Sequence, residues 1–600
     1  MRKSGALENS SNHKYIGKVR HARGRVRVLL PALLLSIASL MVVLPLVVDG
    51  CSCGHDFDFH LVSWFEAAAQ FRAGTLLPHW AYSPGWNAGE PRFVFYPPLS
   101  WVLGALLGMV LPWAAVPVTY TWLALTAAGW GMYRLGRVVA GEGAALLAAM
   151  VYVSNPYMLF TAYERTAYAE LLAAAWIPLL LAAALRARVR MLGIAMPVAL
   201  LWLTNAPAAV MGCYALGLVG VLRVGMDWRR DGRGVGLKLA WRTAAGVGLG
   251  LGLAAFYVVP AAYERRWVEI AMVMVEGMRY SDNFLFHHTS DPLHDEVLRT
   301  ASWIAVGMLG ATAAVLGWAG IRKTGIRGQG SGIREGDLAP LDAHLWRDET
   351  APKMGHPELW IVLVALAGAI GVLLTTLSAG VWRVAPELAF LQFPWRLLAV
   401  LAPVLGVGIA LVAVRVRVRP AAGLGLVLVA ALSWPAVRAF RQECDPEDTV
   451  QARLAVFRAK AGTDPTDEYT PQNDDNDVLR HDDPPFWLGA DADTAPPKGM
   501  AAGPVAGRFT VVSGATQMLV LNLRAYPAWR VRVNGVLVRP QGDRADGLIA
   551  VSVPAGRDRV EIAYGRTEDE AVGMGISGMS VLVLVGMGWR RRWWRGAPFA

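Results

Sequence analysis

Charged side chains are scarce in this sequence: they make up 17% of its 600 residues, against about a quarter in water-soluble globular chains. With 55% hydrophobic residues and a mean hydropathy of +0.37, that scarcity excludes a soluble protein of this length. Cysteine is scarcer still, at four residues, too few for a thiol-built metal site. They leave open a bridge from Cys51 or Cys53 to Cys444 in an oxidising compartment. Basic residues are not short, and the pI is about 9.6. They sit in short loops and tails between apolar stretches, however, where they set membrane orientation and do not point to nucleic acid.

What the sequence has in quantity is apolar runs close to the roughly 20 residues that span a bilayer core as a helix. They fall at about 28–48, 98–112, 118–134, 143–162, 166–185, 191–204, 207–223, 242–262, 300–320, 358–379, 396–414, 420–438 and 571–589. Lys14, Lys18, Arg20, Arg23, Arg25 and Arg27 precede the first run, which predicts a cytoplasmic N-terminal tail (1–27) and an uncleaved first span. Arg186, Arg188, Arg190, the group Arg223 to Arg233, the loop 321–357, and Arg590, Arg591 and Arg592 mark further inside segments. Residues 49–97, 263–299, 380–395 and 440–570 then face outward. Thirteen crossings would leave the Arg-rich C-terminus outside, so one segment, best placed between Leu99 and Arg137, fails to cross. The expectation is twelve or thirteen helices (28–439, with a last one in 571–600) and a small outer β-domain.

That domain opens with a polar, loop-rich stretch, 440–504, carrying the runs Asn473 to Asp477 and Asp482 to Pro485. Trp529, Val531 and Val533 then alternate with Arg530, Arg532 and Asn534. Asn534-Gly535 reads as a two-residue hairpin turn, and Val560, Ile562 and Tyr564 alternate again. A β-sandwich over 505–566 follows, serving either as a plain structural cap or as a binder of a sugar or lipid head group.

The first outer loop, 49–97, concentrates chemistry beside the membrane surface. Asp56 and Asp58 stand just past the first span, where a carboxylate can act as a general base toward a hydroxyl or hold a divalent ion. His60 shares a helix face with Asp56 if the helix begins early. A plain helix cap is the competing role for Asp56 or Asp58. Trp64, Phe65, Trp80, Trp86, Phe93, Phe95 and Tyr96 suit an interfacial aromatic belt. Arg165 and Glu170, with Glu164, are charges at the edge of apolar spans, costly unless used or mutually paired. Trp395-Arg396 puts a guanidinium at the outer end of a span, suited to a phosphate. His287, His288, Asp291, His294 and Asp295 lack a ligand spacing and read as a solvated loop.

Gly54-His55-Asp56 with His60, the segment Gly74 to Trp80, and Gly89-Glu90-Pro91 before Phe95-Tyr96-Pro97-Pro98 form an ordered series of motifs. Arg165 with Glu170, Leu391 to Leu397, Glu468-Tyr469-Thr470-Pro471, and Tyr526 to Trp529 leading to Asn534-Gly535 continue it. In these the chain resembles the bacterial membrane-protein group labelled "6-pyruvoyl-tetrahydropterin synthase-related", itself similar to YfhO-like proteins and to glycosyltransferases of the GT-C fold. No pterin-synthase domain is visible, and Ala528 stands where the YfhO-like pattern usually has Gly.

The resemblance implies a GT-C-like, polytopic α-helical enzyme of the bacterial inner membrane. Its donor would be a polyprenyl-phosphate sugar and its acceptor an extracytoplasmic glycan or lipid. It maps the catalytic group onto Asp56, with Asp58 and His60 beside it, and substrate contacts onto Glu90, Arg165, Glu170, Trp395, Arg396, Glu468 and Tyr469. A divalent cation, Mg or Mn, stays open as a cofactor. A membrane protein that binds or moves a lipid-linked glycan without chemistry is the alternative, and both readings want these side chains on one cavity at the lipid edge.

Overall fold

The computed structural model describes residues 29–328, 356–542 and 544–596. The expected basic tail 1–27 and most of the inside loop 321–357 lie outside the described residues, and the side chains of Arg590, Arg591 and Arg592 are likewise not described.

Six described helices are long and apolar enough to cross a membrane: Leu29–Val48, Ala206–Asp231, Pro292–Ile321, Pro394–Val412, Val418–Phe440 and Glu568–Met587. Three bent pairs bring the number to as many as nine if each is one span. Shorter apolar helices run over Pro98–Val110, Tyr168–Ala184 and Met191–Thr204. The fold is polytopic, and the expected twelve or thirteen crossings depend on how the short helices are counted. Large apolar side chains such as Leu33, Leu44, Trp303, Val427 and Leu582 are exposed along these helices, as a hydrocarbon solvent requires.

Three expected spans are broken. The stretch 143–162 divides into Glu142–Val153 and Pro156–Tyr163, bent by 40°. Asn155 caps the second helix by accepting from the N–H groups of Tyr157 and Met158, and Pro156 supplies its first residue. The stretch 242–262 turns by 77° after Leu253, and the one following Glu358 turns by 94° after Leu373. Pro98–Val110 has 13 residues, about 20 Å of helix at 1.5 Å per residue, short of a 30 Å core. After Pro112 a second helix runs over Val116–Val139.

The C-terminal strands form two antiparallel sheets. One has the order β1 (Phe486–Gly489), β3 (Gln517–Arg524), β6 (Leu548–Val553). The other has the order β2 (Arg508–Ser513), β7 (Gly556–Tyr564), β4 (Trp529–Val533), β5 (Val536–Val538). Val511, Leu519, Leu521, Val531, Val533, Ile549, Val551 and Val560 are buried in one cluster drawn from both sheets. Val533 pairs with Val536 across Asn534 and Gly535, both at positive φ, the two-residue turn expected there. β1 lies within the stretch expected to be loop-rich, as does the helix Val450–Ala459. The β-region therefore begins near 486 and not at 505.

The β-region is fastened to the first outer loop. Asn522 donates to the carbonyl of Trp86 (3.1 Å), Arg524 N–H to that of Ala88 (3.0 Å), and Thr463 N–H to that of Ser83 (2.9 Å). Tyr526 donates to the buried Glu264, joining the same domain to the bent helix 255–264.

Candidate active site

Between the first span and the helix Phe57–Arg72, the chain lies against two distant segments. Cys53 N–H donates to Gln442 O (3.1 Å), Gln442 N–H to Ser52 Oγ (2.9 Å), and Ser52 Oγ to Tyr163 O (2.6 Å). The N–H groups of His55 and Asp56 donate to the carbonyls of Glu164 (3.3 Å) and Arg165 (2.9 Å). A Cβ on Gly54 would stand 2.1 Å from the Glu164 carbonyl oxygen, so only glycine permits this approach. Of the bridges left open by the sequence, Cys53–Cys444 is the one formed, and Cys51 and Cys213 are free thiols.

This lacing sets Asp56 opposite Arg165, with Oδ2 to Nη2 4.0 Å. The Asp56 side chain is 43% exposed and that of Arg165 only 5%. Asp56 occupies the N-cap position of its helix but makes no side-chain capping bond, so capping does not account for it. Behind Arg165 lies Glu170, whose Oε2 is 2.7 Å from Arg165 Nη1 and 3.7 Å from Arg396 Nε. Tyr157 donates its hydroxyl to the other oxygen of Glu170. Arg165 lies over the Trp395 ring (4.8 Å) and Arg396 over Phe393 (4.8 Å).

Arg396 Nη1 donates to Leu391 O (2.9 Å), while its buried Nε has no hydrogen-bond partner. One buried carboxylate thus serves two guanidiniums, and the surplus positive charge faces the half-exposed Asp56. Burial opposes the charge on Arg165, but Glu170, with Tyr157 and Asp56, outweighs it and raises its pKa above the usual arginine value. Thr166, next to Arg165, is β-branched yet sits at φ +47°, and Gln392, four residues before Arg396, sits at +60°. Backbone strain of this kind survives only where the surroundings over-determine it.

Of the residues expected at the site, Asp56, Arg165, Glu170, Trp395 and Arg396 come together. Asp58, two residues on and therefore on another helix face, turns to Arg453, with Oδ1 to Nε 2.9 Å. Burial pushes its pKa up, against Arg453 and Arg92. His60 is buried among Phe59, Trp64, Tyr96 and Tyr168, its Nε2 3.5 Å from the Tyr96 hydroxyl. Burial brings its pKa down to about 4, so the ring is neutral at pH 7.

Glu90, Glu468 and Tyr469 form a second group. Glu90 pairs with Arg92 (2.7 Å) and accepts from Thr466 N–H (2.9 Å), while Tyr469 stacks on Phe95. Burial raises the Glu468 pKa. Phe59 and Tyr96 lie between the two groups, with Phe59 touching both Tyr469 and His60. In the 287–295 loop, Asp295 binds the exposed His288 (3.2 Å) and Thr289. Among the described residues no three His, Cys, Asp or Glu side chains are placed to hold a metal ion.

Sequence reasoning missed Tyr157, Arg92, Arg453 and Gln442, whose amide donates to Glu164 (2.7 Å). Arg92, two residues from Glu90, could have been found as a local charge pair. The other three meet their partners only through the tertiary fold.

Fold and site together define a multi-span membrane protein with a charged cluster laced between its first outer loop and its helices. No protein-family model and no curated protein matches the chain. Among solved structures it is similar to the arabinofuranosyltransferase AftD from Mycobacteria, at 16% identity and a TM-score of 0.40, over 89% of this chain and 40% of that one. Two classes of a mutant AftD give 18% and 19% identity and TM-scores of 0.39 and 0.40, each over 68% of this chain. The chain thus spans from 28% to 40% of the length of those proteins. A likeness of this size carries nothing about chemistry.

Proposed function

We propose that this chain is a membrane glycosyltransferase of the bacterial inner membrane, moving a sugar from a polyprenyl-phosphate donor to a hydroxyl of an extracytoplasmic glycan or lipid. The observation that supports it is the arrangement of half-exposed Asp56 against two buried arginines that share one carboxylate. Asp56 accepts the proton of the acceptor hydroxyl as its oxygen bonds to the anomeric carbon. The bond from that carbon to the phosphate oxygen breaks on the opposite side, inverting the centre. The lipid phosphate leaves with the bonding pair, and Arg165 and Arg396 balance the charge that develops on it. Glu170 and Tyr157 hold the two guanidiniums in place, and no step needs a cation.

Purified Asp56→Asn, assayed with a panel of prenyl-phosphate sugars, is expected to lose at least about a hundredfold in rate while staying folded. Asp58→Asn loses less. Asn caps a helix as well as Asp does, so a wild-type rate in Asp56→Asn would remove the catalytic assignment. Donor binding without turnover in the native protein would leave a carrier of lipid-linked glycan instead.

In this reading residues 440–570 and the first outer loop face away from the cytoplasm. A phosphatase reporter is expected to be active near Gly507 and silent near Gly330, and the reverse pattern would invert the orientation.

A further inference from the structure

The outer face of the sheet β2-β7-β4-β5 is strongly cationic. Arg508 on β2, Arg557 and Arg559 on β7, and Arg530 and Arg532 on β4 are all exposed. Strand register puts them on one face. Arg508 and Arg532 both pair with Glu561, Thr510 with Arg559, Val512 with Arg557, and Arg530 with Ala563. Glu561 is the one carboxylate on that face in these three strands, and it meets Arg559 at 3.0 Å and Arg508 at 3.8 Å. Five guanidiniums therefore face a single carboxylate. Strands lie about 4.8 Å apart and same-face residues nearly 7 Å apart along a strand, so the charges form a two-dimensional array rather than a point site. Like charges this close repel, and a plain structural cap has no use for them.

We propose that this face binds an extended, multiply anionic glycan, with the array of positive charge attracting successive carboxylate or phosphate groups. Charge complementarity selects the occupant, and the layout favours a polymer over a bilayer. The row follows β7 from Arg557, at the end far from the membrane helix, toward Tyr564, four residues before Glu568 where that helix begins. A polymer can track that row. No aromatic side chain stands among the arginines; the exposed apolar side chains on the face are Val512 and Leu537. The proposal is independent of the transfer reaction, because its test reads binding alone.

The full chain, in phosphatidylcholine nanodiscs, is titrated with polygalacturonate and, as a neutral control, dextran. Binding to polygalacturonate alone is expected, weakening as salt rises. The triple variant Arg532→Ser, Arg557→Ser, Arg559→Ser should bind at least about tenfold more weakly, and the matching Arg→Lys triple, which keeps the charge, within about threefold of wild type. Unchanged binding in the serine variant, loss in the lysine variant, or equal binding of dextran would each overturn the proposal. So would capture of free phosphatidylglycerol vesicles without any binding of the polymer, which would make the face a membrane contact.

Discussion

Arg165 and Glu170 form an ion pair at 2.7 Å with both side chains 5% exposed, and the same carboxylate oxygen lies 3.7 Å from Arg396. Removing this carboxylate leaves two buried guanidiniums facing one another. Glu170→Gln is expected to cost roughly 3–5 kcal/mol, the usual price of breaking a buried pair from one side. Adding Arg396→Gln should return part of that loss, since one of the repelling charges goes with it. Unfolding midpoints in detergent give both numbers, and an unchanged midpoint for Glu170→Gln would show that the pair bears no stress.

Gly54 offers a sharper test of placement. An added methyl overlaps the Glu164 carbonyl, so Gly54→Ala must lift the loop off that segment and carry Asp56 with it. A displacement near 1 Å at a catalytic group costs about a hundredfold in rate. The expected result is a fall in kcat of that order with donor binding nearly kept, since Arg165 and Arg396 stay put. Wild-type turnover by folded Gly54→Ala would mean that the loop position does not matter.

The outer domain should lose stability as pH rises. Burial, helped by Asp546, lifts the pKa of Asp483 to about 6, above its ordinary value of 3.8. A carboxyl harder to ionise in the folded state adds no penalty below its unfolded pKa, a growing one through the interval, and the full one above about 6. Asp483→Asn removes that penalty. It should raise the unfolding free energy at pH 8 by roughly 1–3 kcal/mol, and leave it nearly unchanged near pH 4. Equal effects at both pH values would rule out the titration.

Spans were legible in the sequence because hydropathy reports the solvent of a segment; the bends were not, because hydropathy carries no direction. Asn155-Pro156 is a helix start written inside an apolar run, visible only when caps are weighed against hydrophobicity. The hairpin at Asn534-Gly535 was readable because its chemistry is local. β1 was not, since its four residues follow a run of Asp and Pro and acquire strand character only by pairing with β3. Within the site, Arg165, Glu170 and Arg396 stood out because charge at the edge of an apolar span is expensive. Tyr157 looks like any interfacial aromatic until the fold turns its hydroxyl onto Glu170.

The fastening of the first outer loop has a consequence for how the protein is made. Ser52 and Cys53 take partners from Gln442 and Cys444, and residues 83–90 from 460–466 and 522–524, some four hundred positions later in synthesis, whereas His55 and Asp56 bond to the much nearer Glu164 and Arg165. The later part of the loop, 83–90, is therefore translated long before its distant partners exist. A ribosome that stops before residue 441 releases a chain in which Asp56 can meet Arg165, but the loop lacks Gln442, Cys444 and the β-region that fasten it. The fastening of the loop, unlike the cluster around Arg165, is therefore among the last parts of the molecule to be completed.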